Sequence, residues 1–231
     1  MHIIERKKHN YVSHLNKVAE VLAVIVPVAD YVTINYPESQ LLSKEDILGL
    51  KWSTKLTTSH INGAIALLRI QHPVIDGLFN VQHGEKGNYP MPKSKPWMQI
   101  INNGACHWFL AVAGFNVCGD QDVAVYDSLG FCDEVIMSMK CISSLMGGQN
   151  FTLRTPSCQK QCDRSSCGVF AIAFATSLAA GQDPSALVCE TEAKMRDHLK
   201  HCLLKGEISQ YPTTSTTRRQ DTRLKVKHVI N

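Results

Sequence analysis

The chain has 231 residues, a formal net charge of +4, 44% hydrophobic residues and 19% charged residues. This composition excludes an intrinsically disordered or collagen-like chain, and the length suits one or two domains with a substantial core. The small positive excess does not by itself indicate a nucleic-acid-binding protein. Nine cysteines are present. Because this number is odd, at least one thiol cannot be paired within the chain.

The first forty residues show no clear periodicity, and we interpret 1–40 as an N-terminal extension. Its basic start is not followed by an apolar stretch of the signal-peptide type. The longest apolar run, 21–29, contains Pro27 and is too short to cross a bilayer, which takes a helix of about 20 residues. We therefore expect no membrane segment and a nuclear or cytoplasmic location, where most thiols stay reduced.

Helix signals follow the extension. Ser43 is typical of an N-cap, with Asp46 in the first turn of a short helix. Apolar residues from Ile61 to Leu68 recur at helical spacing, which predicts a second helix capped by Thr58 or Ser59. The segment 77–96 is rich in glycine, proline and lysine and is predicted to be a loop.

The middle of the chain has strand signals. Short apolar runs at 97–101, 107–113 and 123–126 predict strands, and a turn at 116–122 favours antiparallel pairing of the last two. A helix is predicted at 133–146, followed by a strand at 151–155. The chain therefore resembles a single α+β domain.

The C-terminal third contains two predicted helices and a tail. The nearly continuous apolar run 168–180 predicts a helix in the core, and 192–204 predicts an amphipathic helix. The segment 213–231 is rich in threonine and then basic, and we predict a mobile tail. A charge run of this kind is usually solvated, so binding of nucleic acid by the tail is not favoured.

Residues with catalytic chemistry lie at the ends of these elements. His107 opens one strand, Asp127 follows the next, and Cys167 lies where a polar loop meets the apolar helix. If the strands pair antiparallel, the acid can orient an imidazole that deprotonates a thiol, and a helix N-terminus stabilises the thiolate. Gln161, more than Gln159 near it, can supply an amide donor to an oxyanion.

These segments resemble one protease family when they are taken together. The pair His107-Trp108, the run Tyr126-Asp127-Ser128, and Gln161 six residues before Cys167-Gly168 are similar to the ubiquitin-like protease family, which includes the sentrin (SUMO)-specific cysteine proteases. The resemblance implies an α+β, papain-like cysteine protease architecture. In this architecture a central mixed or antiparallel sheet is flanked by helices, and the nucleophile lies at the N-terminus of a buried helix. It also implies a catalytic domain over 41–212.

The resemblance implies a role for each matched residue. His107 would be the general base, Asp127 its orienting acid, Cys167 the nucleophile and Gln161 the oxyanion donor, while Trp108 would cover the tunnel that holds two glycines. The implied activity is cleavage after the C-terminal diglycine of a ubiquitin-like protein, with SUMO favoured over NEDD8 or ubiquitin. It requires no cofactor or metal, and a monomer is expected. The chain departs from many members at Ser166, where they have an acid.

Two other functions remain open. The segments 59–71 and 195–212 look more like relatives carried by mobile elements, so the substrate could be a viral or mobile-element polyprotein. A second alternative is a catalytically decayed module that binds a ubiquitin-like protein. The spacing of Cys158, Cys162 and Cys167 could suggest zinc, but a fourth ligand and paired short spacings are lacking, so we expect no metal.

Overall fold

A computed structural model of the chain describes residues 26–28, 31–33, 42–116, 119, 121–131, 136–214 and 225–229. The strands are β1 (Val26–Val28), β2 (Tyr31–Thr33), β3 (Leu42–Ser43), β4 (Asp76–Gly77), β5 (Trp97–Asn102), β6 (Trp108–Ala113), β7 (Asp122–Tyr126), β8 (Phe151–Thr155) and β9 (Lys225–Val229). The α-helices are α1 (Lys44–Leu48), α2 (Thr58–Gln71), α3 (Ile136–Leu145), α4 (Cys167–Ala179) and α5 (Glu192–Lys205). Two 3-10 helices are formed by Val81–Lys86 and Pro184–Ala186.

The described strands form two sheets. Strands β1, β2 and β3 form a small antiparallel sheet, and β4 to β9 form a six-stranded sheet in chain order. In the larger sheet β4 pairs parallel with β5 and β7 with β8, while the other pairs are antiparallel. The prediction of an α+β fold with a mixed sheet flanked by helices is therefore confirmed.

Both faces of the large sheet are covered, which explains why its central strands are apolar throughout. In β6, Leu110 packs with the cluster of α2, α4 and α5, whereas its neighbours Phe109 and Ala111 pack with the cluster of α3. Successive side chains of a strand point to opposite faces, so a strand covered on both faces has no polar positions to spare. The helix α4 lies in the first cluster with nearly every residue buried.

The N-cap of α1 is the predicted residue, whereas the N-cap of α2 is not. Ser43 caps α1 and receives the backbone N–H of Asp46 at 3.0 Å, as predicted. The cap of α2 is Thr57, one residue before the predicted Thr58. The reason is His60, whose Nδ1 accepts the Thr57 backbone N–H at 3.2 Å and pairs with the Thr57 hydroxyl at 2.7 Å.

Two segments predicted to lack regular structure contain it. The 77–96 loop includes the end of β4 and a 3-10 helix, whose first backbone N–H, at Val81, donates to the Asn62 side chain at 3.0 Å. Residues 225–229, which the sequence placed in a mobile tail, form β9 and pair with all of β8. The 1–40 extension likewise contributes β1 and β2, and its remainder lies outside the described residues.

Within the part of the chain that the structure describes, no helix combines the length and apolar character needed to cross a membrane.

Candidate active site

His107 and Asp127 meet at one end of the large sheet. His107 directly precedes β6 and Asp127 directly follows β7, and these strands are antiparallel neighbours. The His107 Nε2 lies 2.9 Å from each carboxylate oxygen of Asp127. Asp127 is buried and His107 nearly so, with 15% of its side chain exposed. The carboxylate therefore fixes the orientation of the ring in a place with little water.

A tight turn between β5 and β6 delivers His107. The Asn103 side-chain oxygen accepts the backbone N–H groups of Ala105 and His107 at 2.8 and 3.2 Å. Gly104 and Cys106 both have positive φ, 81° and 61°. A left-handed conformation at Cys106 is uncommon for a residue with a side chain, so this turn is specific in shape. It places the ring at the sheet edge beside Asp127.

Asp127 is itself held by the turn that follows it. Its Oδ1 accepts the backbone N–H groups of Leu129 and Gly130 at 2.8 and 3.2 Å, an arrangement typical of an aspartate that begins a turn. The carboxylate cannot rotate away from His107 without losing these bonds. The acid of the pair is thus positioned before any substrate arrives.

Cys167 is the first residue of α4. It is 3% exposed, is not disulfide-bonded, and lies where the unpaired N–H groups of the helix favour a negative charge. Its thiol interacts with the His107 ring and with the backbone N–H groups of Trp108 and Gly168. The other ring nitrogen of His107, Nδ1, is buried and has no hydrogen-bond partner among the described residues. The ring thus keeps one nitrogen available on the side that Asp127 does not use.

The two groups shift each other's pKa in opposite directions. Burial acts to raise the pKa of the Cys167 thiol, but the interaction with His107 and the backbone donors outweigh it, so the pKa is lowered. Burial acts to lower the pKa of His107, but the hydrogen bonds with Asp127 and the interaction with Cys167 outweigh it and raise the pKa to about 9. Both shifts act in the direction of a thiolate beside an imidazolium.

Gln161 is buried on the loop that leads to Cys167. Its Oε1 accepts the Ser128 hydroxyl at 2.6 Å, so its amide nitrogen faces the other way and donates to the Asp163 carbonyl at 2.8 Å. The same nitrogen also lies 3.5 Å from Asp163 Oδ1, so the Gln161 amide faces the 163–166 turn. Gln159 is occupied elsewhere, because both ends of its amide bond the backbone of Cys189. The structure thus separates the two glutamines that the sequence left as alternatives.

Trp108 is buried at 5% exposure, and its indole N–H donates to the Leu56 carbonyl at 3.3 Å. This contact holds the 50–57 segment against the start of β6. Trp52, on the same segment, is 70% exposed. A covering role for Trp108 over a substrate stays a prediction.

Sequence reasoning missed a polar cluster behind Cys167. Asp163 accepts the hydroxyls of Ser165 and Ser166, and both hydroxyls also bond the guanidinium of Arg196. Arg196 is 1% exposed. A signal was present, since Arg196 lies three and seven residues before Leu199 and Leu203, on the apolar stripe of its helix. Elsewhere in the described part of the chain, no group of three histidine, cysteine or acidic side chains is arranged to hold a metal ion.

Solved structures similar to this chain include SUMO proteases. The chain matches the C-terminal Ulp1 protease domain in complex with Smt3, the yeast ortholog of SUMO, with a TM-score of 0.58 and 16% identity, over 83% of this chain and 93% of that one. It also matches SUMO protease Ulp1 with its catalytic cysteine oxidised to a sulfonic acid, with a TM-score of 0.56 and 16% identity, over 71% and 84%.

No family model matches the sequence, and no curated protein is significantly similar to it. The structural likeness nevertheless extends over most of both chains. The chain thus has the fold of the Ulp1 protease domain, and the resemblance seen in the sequence is confirmed at the level of the fold.

Proposed function

We propose that this chain is a cysteine peptidase and isopeptidase that cleaves after the C-terminal diglycine of a ubiquitin-like protein. The observation that carries the proposal is the arrangement around His107, whose Nε2 is fixed by Asp127 while its ring interacts with the Cys167 thiol. The arrangement has the three parts of an activated thiol nucleophile: nucleophile, base and orienting acid. Their assembly argues against a decayed module that only binds.

In the resting enzyme, Cys167 is a thiolate and His107 an imidazolium. The lowered pKa of Cys167 and the raised pKa of His107, about 9, support this charge state near pH 7. The thiolate attacks the carbonyl carbon of the terminal glycine and forms a tetrahedral intermediate. The proton on His107 Nδ1 then passes to the leaving amine, and Asp127 keeps the ring in position throughout.

The negative charge on the intermediate needs donors at the start of α4. The backbone N–H of Cys167 and the side-chain amide N–H of Gln161 are the proposed donors. The Ser128 hydroxyl fixes the Gln161 amide with its nitrogen facing the nucleophile loop, which supports this role. Water then hydrolyses the thioester with His107 as base, and neither a metal nor a cofactor takes part.

The substrate class rests on the fold and on the matched residues. Ulp1 structures with 16% identity include one in complex with Smt3, so a SUMO-like modifier is the first choice and NEDD8 or ubiquitin the next. We propose deSUMOylation or precursor processing, by a monomer in the nucleus or cytoplasm. Trp108 would cover the tunnel for the two glycines. Its indole also holds the 50–57 segment.

A panel of C-terminal vinyl-sulfone probes tests the proposal. SUMO, NEDD8 and ubiquitin, each ending in the electrophile, are incubated with the protein, and the adduct is located by mass spectrometry. We expect a covalent adduct on Cys167 with one modifier, SUMO first. An adduct with NEDD8 or ubiquitin alone would correct the modifier but keep the mechanism.

Matched variants make the result specific. Cys167→Ser should form no adduct and should still bind the modifier, whereas Cys106→Ser, which changes an exposed thiol beside His107, should react like the wild type. Cleavage of a general peptide library without an adduct from any probe would favour the polyprotein protease. Binding without an adduct would favour the decayed module.

A further inference from the structure

Arg196 is a buried cation that the proposed reaction does not use. It is among the largest side chains that are almost completely buried, and no carboxylate forms an ion pair with it among the described residues. Burying an uncompensated charge is costly, so a side chain in this position is expected to have strong partners or a task.

The partners of Arg196 belong to two walls of the candidate active site. One guanidinium nitrogen donates to the Thr54 carbonyl at 2.6 Å, on the segment whose Leu56 carbonyl receives the Trp108 indole. The other donates to the hydroxyls of Ser165 and Ser166 at 3.2 and 3.1 Å, directly before Cys167. One side chain therefore ties the 54–56 segment to the turn that presents the nucleophile.

Asp163 completes the cluster from the opposite side. Its Oδ2 accepts the Ser165 and Ser166 hydroxyls at 2.8 and 2.7 Å, and its Oδ1 accepts the Ser166 backbone N–H at 2.9 Å. The two hydroxyls thus stand between the carboxylate and the guanidinium. The turn 163–166 is fixed at both ends, and Gln161 is joined to it through the Asp163 carbonyl.

The charges around this cluster decide how it can affect the thiol. Arg196 has electrostatic interactions with Asp163, Cys167, Tyr211 and Glu192, and it acts on His60 of α2. Cys167 also interacts with His107. Arg196 is thus a second cation near the thiol, held on the side chains of Ser165 and Ser166 directly before it.

We propose that Arg196 is a positioning residue of the active site, which fixes the turn before Cys167 against the 54–56 segment and supports the thiolate as a buried cation. This inference rests on the proposed function only in taking Cys167 as the nucleophile. It assigns to Arg196 no contact with substrate.

The test follows the reactivity of Cys167 without any substrate. Alkylation by iodoacetamide is measured from pH 5 to 10, and the modified residue is located by mass spectrometry of the tryptic peptide 165–194. Cys189 in the same peptide is a slow internal reference, because burial raises its pKa to about 11. In Arg196→Met we expect the midpoint of the alkylation profile to rise by about one pH unit, which lowers the rate roughly tenfold at pH values below the wild-type midpoint.

Two further variants separate charge from fold. Lys194→Met removes an exposed cation of α5, ion-paired with Glu190, and should leave the midpoint unchanged. In this variant Cys167 and Cys189 are measured on the tryptic peptide 165–196, because cleavage then follows Arg196. Arg196→Lys keeps the charge but loses the forked geometry, so the midpoint should stay near that of the wild type while kcat falls. If Arg196→Met does not fold, Arg196→Gln serves instead, because its amide can still donate to the Thr54 carbonyl.

The outcomes distinguish this proposal from the proposed function. An unchanged midpoint in a folded Arg196→Met protein, beside a wild type with an acid-shifted thiol, would overturn the role of Arg196 alone. A wild-type Cys167 that reacts only near pH 9, like an ordinary thiol, would instead contradict the proposed function itself.

Discussion

Replacing Asp127 with asparagine tests the charge arrangement of the site most directly. The substitution keeps the size of the side chain and removes the charge that faces His107 Nε2 at 2.9 Å. Burial lowers the pKa of His107, yet the pKa is about 9, compared with 6.5 for a free side chain. The partners must therefore raise it by more than the net difference of about 2.5 units.

The expected magnitude follows from the loss of one partner. Without the Asp127 carboxylate, the pKa of His107 should fall by about two units or more, to near 7 or below, because burial still acts on the ring. The imidazolium–thiolate pair exists only above the pKa of Cys167 and below that of His107. The alkaline limb of the pH profile should thus move from about 9 to near 7, and the acid limb should move less.

The assay is the pH dependence of kcat/KM with a fluorogenic C-terminal amide of the modifier that the probe panel selects. At pH 8 the loss of imidazolium alone should cost about tenfold, and the freed ring orientation should bring the total loss to roughly 100-fold or more. Asp122→Asn is the matched control, since this carboxylate lies on β7 and is ion-paired with Arg154. An Asp127→Asn profile with its alkaline limb still near 9 would refute the reasoning.

Three further changes have expected outcomes. Gln161→Ala should lower kcat about 100- to 1,000-fold with little effect on KM, as measured by steady-state kinetics, and equal losses in kcat and 1/KM would contradict an oxyanion role. Gly168→Val should destabilise the fold by roughly 1–3 kcal/mol in urea unfolding, because a Cβ on Gly168 would already lie 3.1 Å from Leu56 and 3.2 Å from Ile61. Deletion of 225–231 should lower the unfolding midpoint and promote aggregation, since β8 would become an unprotected edge; a mobile tail could be removed without either effect.

The sequence predicted those parts of the fold that have a pattern within a short stretch of residues. Strand β6 is apolar at each position because two helical layers cover it, and such a run is visible without knowing its neighbours. The pairing of β6 with β7 followed from the short connection between them. The meeting of His107 and Asp127 then required only that antiparallel strands share an end.

The parts that were not predicted depend on distant partners. Strand β9 reads Lys-Val-Lys-His-Val, which resembles a solvated basic run, and its pairing with β8 joins residues at least 70 positions apart, as between Thr152 and His228. The two-residue strand β4 exists only because β5 lies parallel to it. The cap of α2 was missed because His60 replaced the usual glutamate or glutamine at the third helical position.

The polar cluster of Asp163, Ser165, Ser166 and Arg196 was predictable only in part. A charged residue on the apolar stripe of α5 could have been noticed at Arg196, but its partner Thr54 is 142 positions away and could not. Ser166 stands where many members of the family that the sequence resembles have an acid. Asp163 supplies a carboxylate to that position from three residues earlier, through the backbone and side chain of Ser166.

This indirect arrangement has a chemical consequence for the site. An acid directly before the nucleophile would bring a negative charge close to the thiolate, whereas here two hydroxyls separate the carboxylate from Arg196, and among the described residues the guanidinium has no ion pair. In the role proposed for Arg196, this cation next to the turn that presents Cys167 supports the thiolate in addition to the imidazolium.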